Sequence, residues 1–147
     1  MYVLAKLYRI IGVDQLHVGT AGVGKLEGEK LDVVRYARTL REEHFKPDPD
    51  DVFHLEQPMY HIKPVLPVSS GGLHPGILPP VIEALGRDIV IQVGGGVIGH
   101  PDGPRAGATA IRQALEAINS GIPLEEYAKN HRELARALEK WGFTKPI

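Results

Sequence analysis

Cysteine is missing from all 147 residues, which excludes disulfide staples, thiolate catalysis and zinc–thiolate sites. The absence is compatible with a reducing compartment, and a cytoplasmic location is the expectation. An excess of one charge sign is missing too: 17 basic and 18 acidic residues leave a formal net charge of −1. No global field gathers nucleic acid or an anionic membrane, so neither is expected as a partner. Long apolar runs are absent as well, because glycine interrupts them before membrane-spanning length is reached. The first residues, Met1-Tyr-Val-Leu-Ala-Lys-Leu-Tyr-Arg9, alternate apolar and basic side chains. They lack the continuous apolar segment and cleavage site of a signal peptide.

Glycine and proline are plentiful. The 17 glycines and 12 prolines make about a fifth of the chain, against a usual share of about 12%, so loops carry weight here. Hydrophobic residues at 43% and charged residues at 24% are ordinary for a globular protein and argue against disorder. The length fits one domain able to bury about 68–70% of its unfolded surface.

Val3, Leu4, Leu7, Ile10 and Ile11 recur at helical spacing, and Gly12 stops that segment. Residues 15–18 read as a short strand, followed by a long loop over 19–28. Leu31, Val34, Ala37 and Leu40 predict a helix from Lys30 to about His44. Lys46-Pro-Asp-Pro-Asp-Asp51 is a proline-broken acidic loop, and 52–62 is irregular or holds a short strand. Residues 65–68 read as a buried strand. Pro79 can open a helix that stops at Gly86. Residues 88–93 form the clearest strand, rich in β-branched side chains. Helices are then expected from about Arg105 to Asn119 and from about Leu124 to Trp141. Strands alternating with helices predict an α/β fold with a parallel sheet. Its inner face is expected to be rich in Leu16, Val18, Leu66, Val68, Ile89, Ile91 and Val93, with open edges that invite another chain.

All three strands run into glycine-rich loops, where α/β proteins place ligands. Ser70-Gly71-Gly72 and Gly94-Gly95-Gly96 follow two successive strands, and glycine amides there can approach an anion closely. Glycines that only make tight turns are the plain alternative, but two such loops in succession, one with serines, favour phosphate. The Gly19–Lys25 stretch is no P-loop, because its spacing is wrong and no Ser or Thr follows the lysine. Lys25 sits on a loop that Gly19, Gly22, Gly24 and Gly28 make pliable. It can close over a phosphate and stabilise developing negative charge, or be a solvated surface lysine. His17 falls near a strand end, where barrel enzymes put functional side chains, or it is a packed or capping histidine. His74 stays open between the same two roles. His54, His61 and Glu56 show no metal-ligand spacing, and the charged C-terminal helix is an ordinary solvated face.

Three strings occur in order: His17-Val-Gly-Thr-Ala-Gly-Val-Gly-Lys-Leu-Glu-Gly28, Leu66-Pro-Val-Ser-Ser-Gly-Gly-Leu-His74 and Gln92-Val-Gly-Gly-Gly-Val-Ile-Gly-His-Pro101. Together they resemble the large subunit of ribulose-1,5-bisphosphate carboxylase/oxygenase, over essentially the whole chain. The extra glycine in Thr20-Ala-Gly-Val-Gly-Lys25, Asp102 and the short tail after Trp141 resemble the archaeal form III members.

The resemblance implies a C-terminal portion of a (β/α)8 barrel, helix 5 followed by units 6, 7 and 8, over residues 1–147. A whole barrel needs about 200–250 residues or more. It implies that Lys25 is the loop-6 lysine that stabilises the carboxylation transition state. His17, Ser70, Gly71, Gly72, Gln92, Gly94 and Gly95 would bind substrate. The implied partners are ribulose 1,5-bisphosphate, CO2 and either the rest of the large subunit or other copies. Mg2+ is implied for the complete enzyme, yet the family's Lys-x-Asp-Glu metal string does not occur in this chain, nor does its general-base lysine. The chain alone is therefore expected to be inactive. The other reading is a non-catalytic phosphate-binding or self-assembling half-barrel module.

Overall fold

The computed structural model describes residues 1–25 and 29–144. Helix α1 (Tyr2–Ile11) ends at Gly12 as expected, then strand β1 (Gln15–His17) leads into the glycine-rich loop. Helix α2 (Lys30–Arg41) stops three residues early, because Glu42 turns extended to start a hairpin of β2 (His44–Phe45) and β3 (Gln57–Pro58). Strand β4 (Leu66–Ser70) follows. A 3-10 turn over Pro75–Ile77 feeds helix α3 (Leu78–Leu85), and β5 (Val90–Gln92) comes next.

The chain closes with helices α4 (Gly95–Ile98), α5 (Pro104–Ser120), α6 (Leu124–Ala128) and α7 (Arg132–Trp141). The single C-terminal helix expected from the sequence is two helices. Its break is at His131, whose backbone is extended and whose Nδ1 takes up the Tyr127 carbonyl at 2.7 Å. That side chain replaces a helical donor, so the chain can turn without orphaning the carbonyl.

The sheet is parallel as predicted, in the order β1-β4-β5. Gln15 to His17 lie beside Leu66 to Val68, and Val68 to Ser70 lie beside Val90 to Gln92. This register corrects the expected inner face. Period-2 alternation sends Leu16, Ser69 and Ile91 to one side and Gln15, His17, Leu66, Ser70 and Gln92 to the other. Leu16 and Ile91 pack with Ile89 and Val93 against the buried cluster of Val33, Leu40, Val81 and Leu85. The apolar side therefore meets the helices, and the opposite side mixes Gln15, His17, Ser70 and Gln92 with Leu66, Val90 and the buried Val68. Each leucine fully removed from water in that cluster contributes about 1.5–3 kcal/mol.

Helix α1 buries its narrower side. Its apolar stripe, Val3, Leu4, Leu7, Ile10 and Ile11, is exposed, and the buried residues are Ala5 and Arg9. Arg9 is 1% exposed. Its guanidinium donates to the carbonyls of Thr39 (2.7 Å), Glu42 (2.8 Å), Ile62 (3.2 Å) and Lys63 (3.2 Å). Among the described residues no helix is long and apolar enough to cross a membrane.

Candidate functional site

Two of the three parallel strands end in polar side chains that share a hydrogen bond across the sheet. His17 Nδ1 and Ser70 Oγ lie 2.8 Å apart, and Gln92 is the register partner of Ser70 on the next strand. All three are on the open face, and His17 and Gln92 are exposed. The strand spacing of about 4.8 Å makes them a continuous polar row at the carboxyl ends.

Beyond that row lies a cavity of about 330 Å3, lined by Lys25, Gly72, Leu73, His74, Gly95, Gly96 and Trp141. Lys25 comes to it through its backbone. The Lys25 N–H donates to the Gly71 carbonyl at 2.9 Å, and the Gly24 N–H donates to the buried Thr20 hydroxyl at 2.9 Å. Glycine is required at 24, because a Cβ there would overlap the Gly71 carbonyl oxygen. The lysine-bearing loop is thus docked on the first glycine loop.

Gly95 and Gly96 begin α4, so their N–H groups have no helical acceptor. Gly94 caps that helix, its carbonyl accepting from Val97 and Ile98, both at 3.0 Å. Burial pushes the His74 imidazole below its ordinary pKa, partly offset by its bond to the Thr144 carbonyl. It therefore brings no charge to the cavity near neutral pH. Such a cavity, with one lysine and three glycines, suits a compact anion.

The expected site residues thus fall into two adjoining groups. Lys25, Gly72 and Gly95 meet at the cavity, with Gly71 one bond behind. His17, Ser70 and Gln92 form the polar row. Trp141 and Thr20 were missed, and Gly96 was named with its loop but not among the substrate-binding residues. Gly96 was legible as the third member of its glycine run. Trp141 carried no local signal, since it reaches the cavity from the far end of the chain. Leu26, Glu27 and Gly28, part of the quoted loop string, lie outside the described residues.

Two of the residues set aside as metal ligands have other partners: His54 Nδ1 bonds Asp51 at 2.7 Å, and Glu56 pairs with His44 at 2.7 Å. Asp51 also accepts the Phe53 and His54 N–H groups and pairs with Arg35 at 3.0 Å, which holds the acidic loop.

Residues 1–141 match the family model described as ribulose bisphosphate carboxylase large chain, catalytic domain. The chain belongs to that family. The ribulose bisphosphate carboxylase of Thermococcus onnurineus is 72% identical over 147 residues, covering all of this chain and 33% of the relative. That of Archaeoglobus fulgidus is 68% identical with the same coverage. This chain therefore spans about a third of the length of the carboxylases it matches. Among solved structures, an archaeal Rubisco superposes with a TM-score of 0.91 at 68% identity, over 99% of this chain and 33% of that one. The dimeric Rubisco of Hyperthermus butylicus gives 0.90 at 57% identity, over 98% and 33%. The octameric Rubisco of Pyrococcus horikoshii gives 0.79 at 47% identity, over 97% and 30%.

Proposed function

We propose that residues 1–147 form the C-terminal portion of a (β/α)8 barrel and that the complete protein is a ribulose-1,5-bisphosphate carboxylase. It adds CO2, or O2, to its sugar bisphosphate and releases 3-phosphoglycerate. On this reading α1 is the fifth barrel helix, and β1, β4 and β5 are strands six to eight. The observation that carries it is the docking of the Lys25 loop on Gly71. That contact gathers one ammonium-bearing residue and the glycines of two successive strand ends around a single cavity.

Each residue then has a task. Amides of Gly71, Gly72, Gly94 and Gly95 hold a phosphate. His17, Ser70 and Gln92 bind the substrate along the open strand ends. The Lys25 ammonium stabilises the negative charge that develops on the new carboxylate, and its loop acts as a lid. Magnesium, which the family implies, does not fit the residues described. Among them no group of three or more His, Asp or Glu side chains could hold a metal ion. The chemistry assigned to this chain stops at phosphate binding and charge stabilisation. The remaining barrel strands come from the rest of the large subunit or another copy, in keeping with the dimeric and octameric relatives.

Titration with ribulose bisphosphate or sulfate, followed by NMR, should move the amides of Gly71, Gly72, Gly94 and Gly95 first. Shifts elsewhere with none at these glycines would sink the assignment. Carboxylation is expected only after the remaining two thirds of the family chain is supplied. Anion binding without turnover in that complemented protein would leave a non-catalytic phosphate-binding or self-assembling module.

A further inference from the structure

We infer that His74 is a positioning residue that couples the chain end after α7 to the anion cavity. The inference rests on reading that cavity as a phosphate site. His74 is 2% exposed, and its Nε2 donates to the Thr144 carbonyl at 3.1 Å. A buried imidazole with one such bond holds its proton on Nε2. Its Nδ1 has no partner among the described residues, so a second proton there would find no acceptor. His74 is therefore a neutral, single donor with one defined target.

The ring also stacks on Trp141, centroids 5.6 Å apart and planes 21° apart, and Trp141 is a wall of the cavity. On its backbone side His74 has no slack. A Cβ on Gly96 would sit 2.9 Å from the His74 Cα and overlap the Leu73 carbonyl. A Cβ on Gly76 would overlap the Gly142 carbonyl. The second glycine loop, the turn after the first glycine loop and the chain end thus converge on one residue. An anion site built from backbone amides tolerates misplacement of only about 0.5 Å. A residue that touches all three segments sets how well the amides point. By the same contacts, filling the cavity must be felt at Thr144.

Two substitutions separate the donor from the ring. His74→Phe keeps an aromatic face on Trp141 and removes the donor. His74→Gln keeps a donor within reach of Thr144 and removes the ring. The probe is inorganic phosphate, read by NMR at the Gly72, Gly95 and Gly96 amides and at the Thr144 carbonyl carbon. In the unsubstituted protein all four signals should move with one half-saturation. His74→Phe should weaken binding about fivefold to tenfold, the scale of one lost hydrogen bond, and silence Thr144. His74→Gln should restore both to within about threefold.

Glycine amides that respond while Thr144 stays still would overturn the coupling and leave the phosphate reading standing. So would His74→Phe binding at full strength. Glycine amides that do not respond at all would remove the phosphate reading and the coupling with it. Should His74→Phe fail to fold, the unsubstituted titration decides alone: Thr144 tracking the glycines supports the coupling, and a flat Thr144 overturns it.

Discussion

Lys25 and His74 line one cavity, but water treats them differently. Lys25 is exposed at its rim and His74 is sealed against Trp141 and Thr144. Under the proposed function, Lys25→Ala in the complete enzyme should lower kcat by about 10²–10³, with apparent KM little changed, as for other groups that meet charge only in the transition state. Steady-state kinetics checks it: a rise in KM alone would show that Lys25 binds substrate uniformly. The His74 prediction concerns stability. Burial depresses its pKa in the folded state. Below about pH 6.5 the unfolded chain takes up a proton that the folded one refuses, so stability falls as pH drops from there toward the folded value. Above pH 6.5 the group contributes fully. Urea midpoints measured across pH should therefore fall less steeply on acidification for His74→Gln, and an unchanged slope would refute the assignment. Lys25 and the glycine pairs were legible because their types and their place after strands announce chemistry. Trp141 was not, and His74 stood out only with its role left open, since its meaning lies in a contact with Thr144, 70 residues away.

Helix α1 shows how periodicity can give an element's span without its orientation. Its span and its stop at Gly12 follow from periodicity and a helix breaker, but its buried side is Ala5 and Arg9. Periodicity reports that one face is apolar and says nothing about which neighbour is present. Arg9 binds α1 to the end of α2 and to residues 62–63 through four carbonyls. Arg9→Met should keep most of the packing volume but orphan those carbonyls, at a cost of about 2–4 kcal/mol, with the more exposed ones regaining water. Denaturant unfolding measures it, and a loss below 1 kcal/mol would mean that water replaces the guanidinium throughout. The break between α6 and α7 was hidden for a related reason: Tyr127, His131, Leu134 and Leu138 keep helical spacing across it, and only the His131 side-chain bond marks the turn.

For the whole molecule, the sheet decides behaviour. β1 and β5 are its edges, and among the described residues neither has an outer neighbour. The exposed stripe of α1 adds Val3, Leu7, Ile10 and Ile11 to the uncovered apolar surface. Unpaired edges and apolar patches of this kind favour association. Light scattering behind size exclusion, run over a dilution series, should show a species heavier than one chain. A well-folded monomer of 16.1 kDa at micromolar concentration would count against it. The glycine loops should stay outside the contact, so anion titration should survive association.

From the amino-acid order alone came the parallel α/β plan, the glycine-rich strand ends, the absence of thiol chemistry and the family resemblance carried by three strings. Those are local properties: hydrophobic period, turn chemistry and residue type act over a few positions. Tertiary structure alone decided that Leu16 and Ile91 face helices while His17, Ser70 and Gln92 face out, because register is a relation between strands. It also decided that Lys25 docks on Gly71 and that Trp141 closes the cavity. Those contacts join segments tens of residues apart, and only packing brings them together.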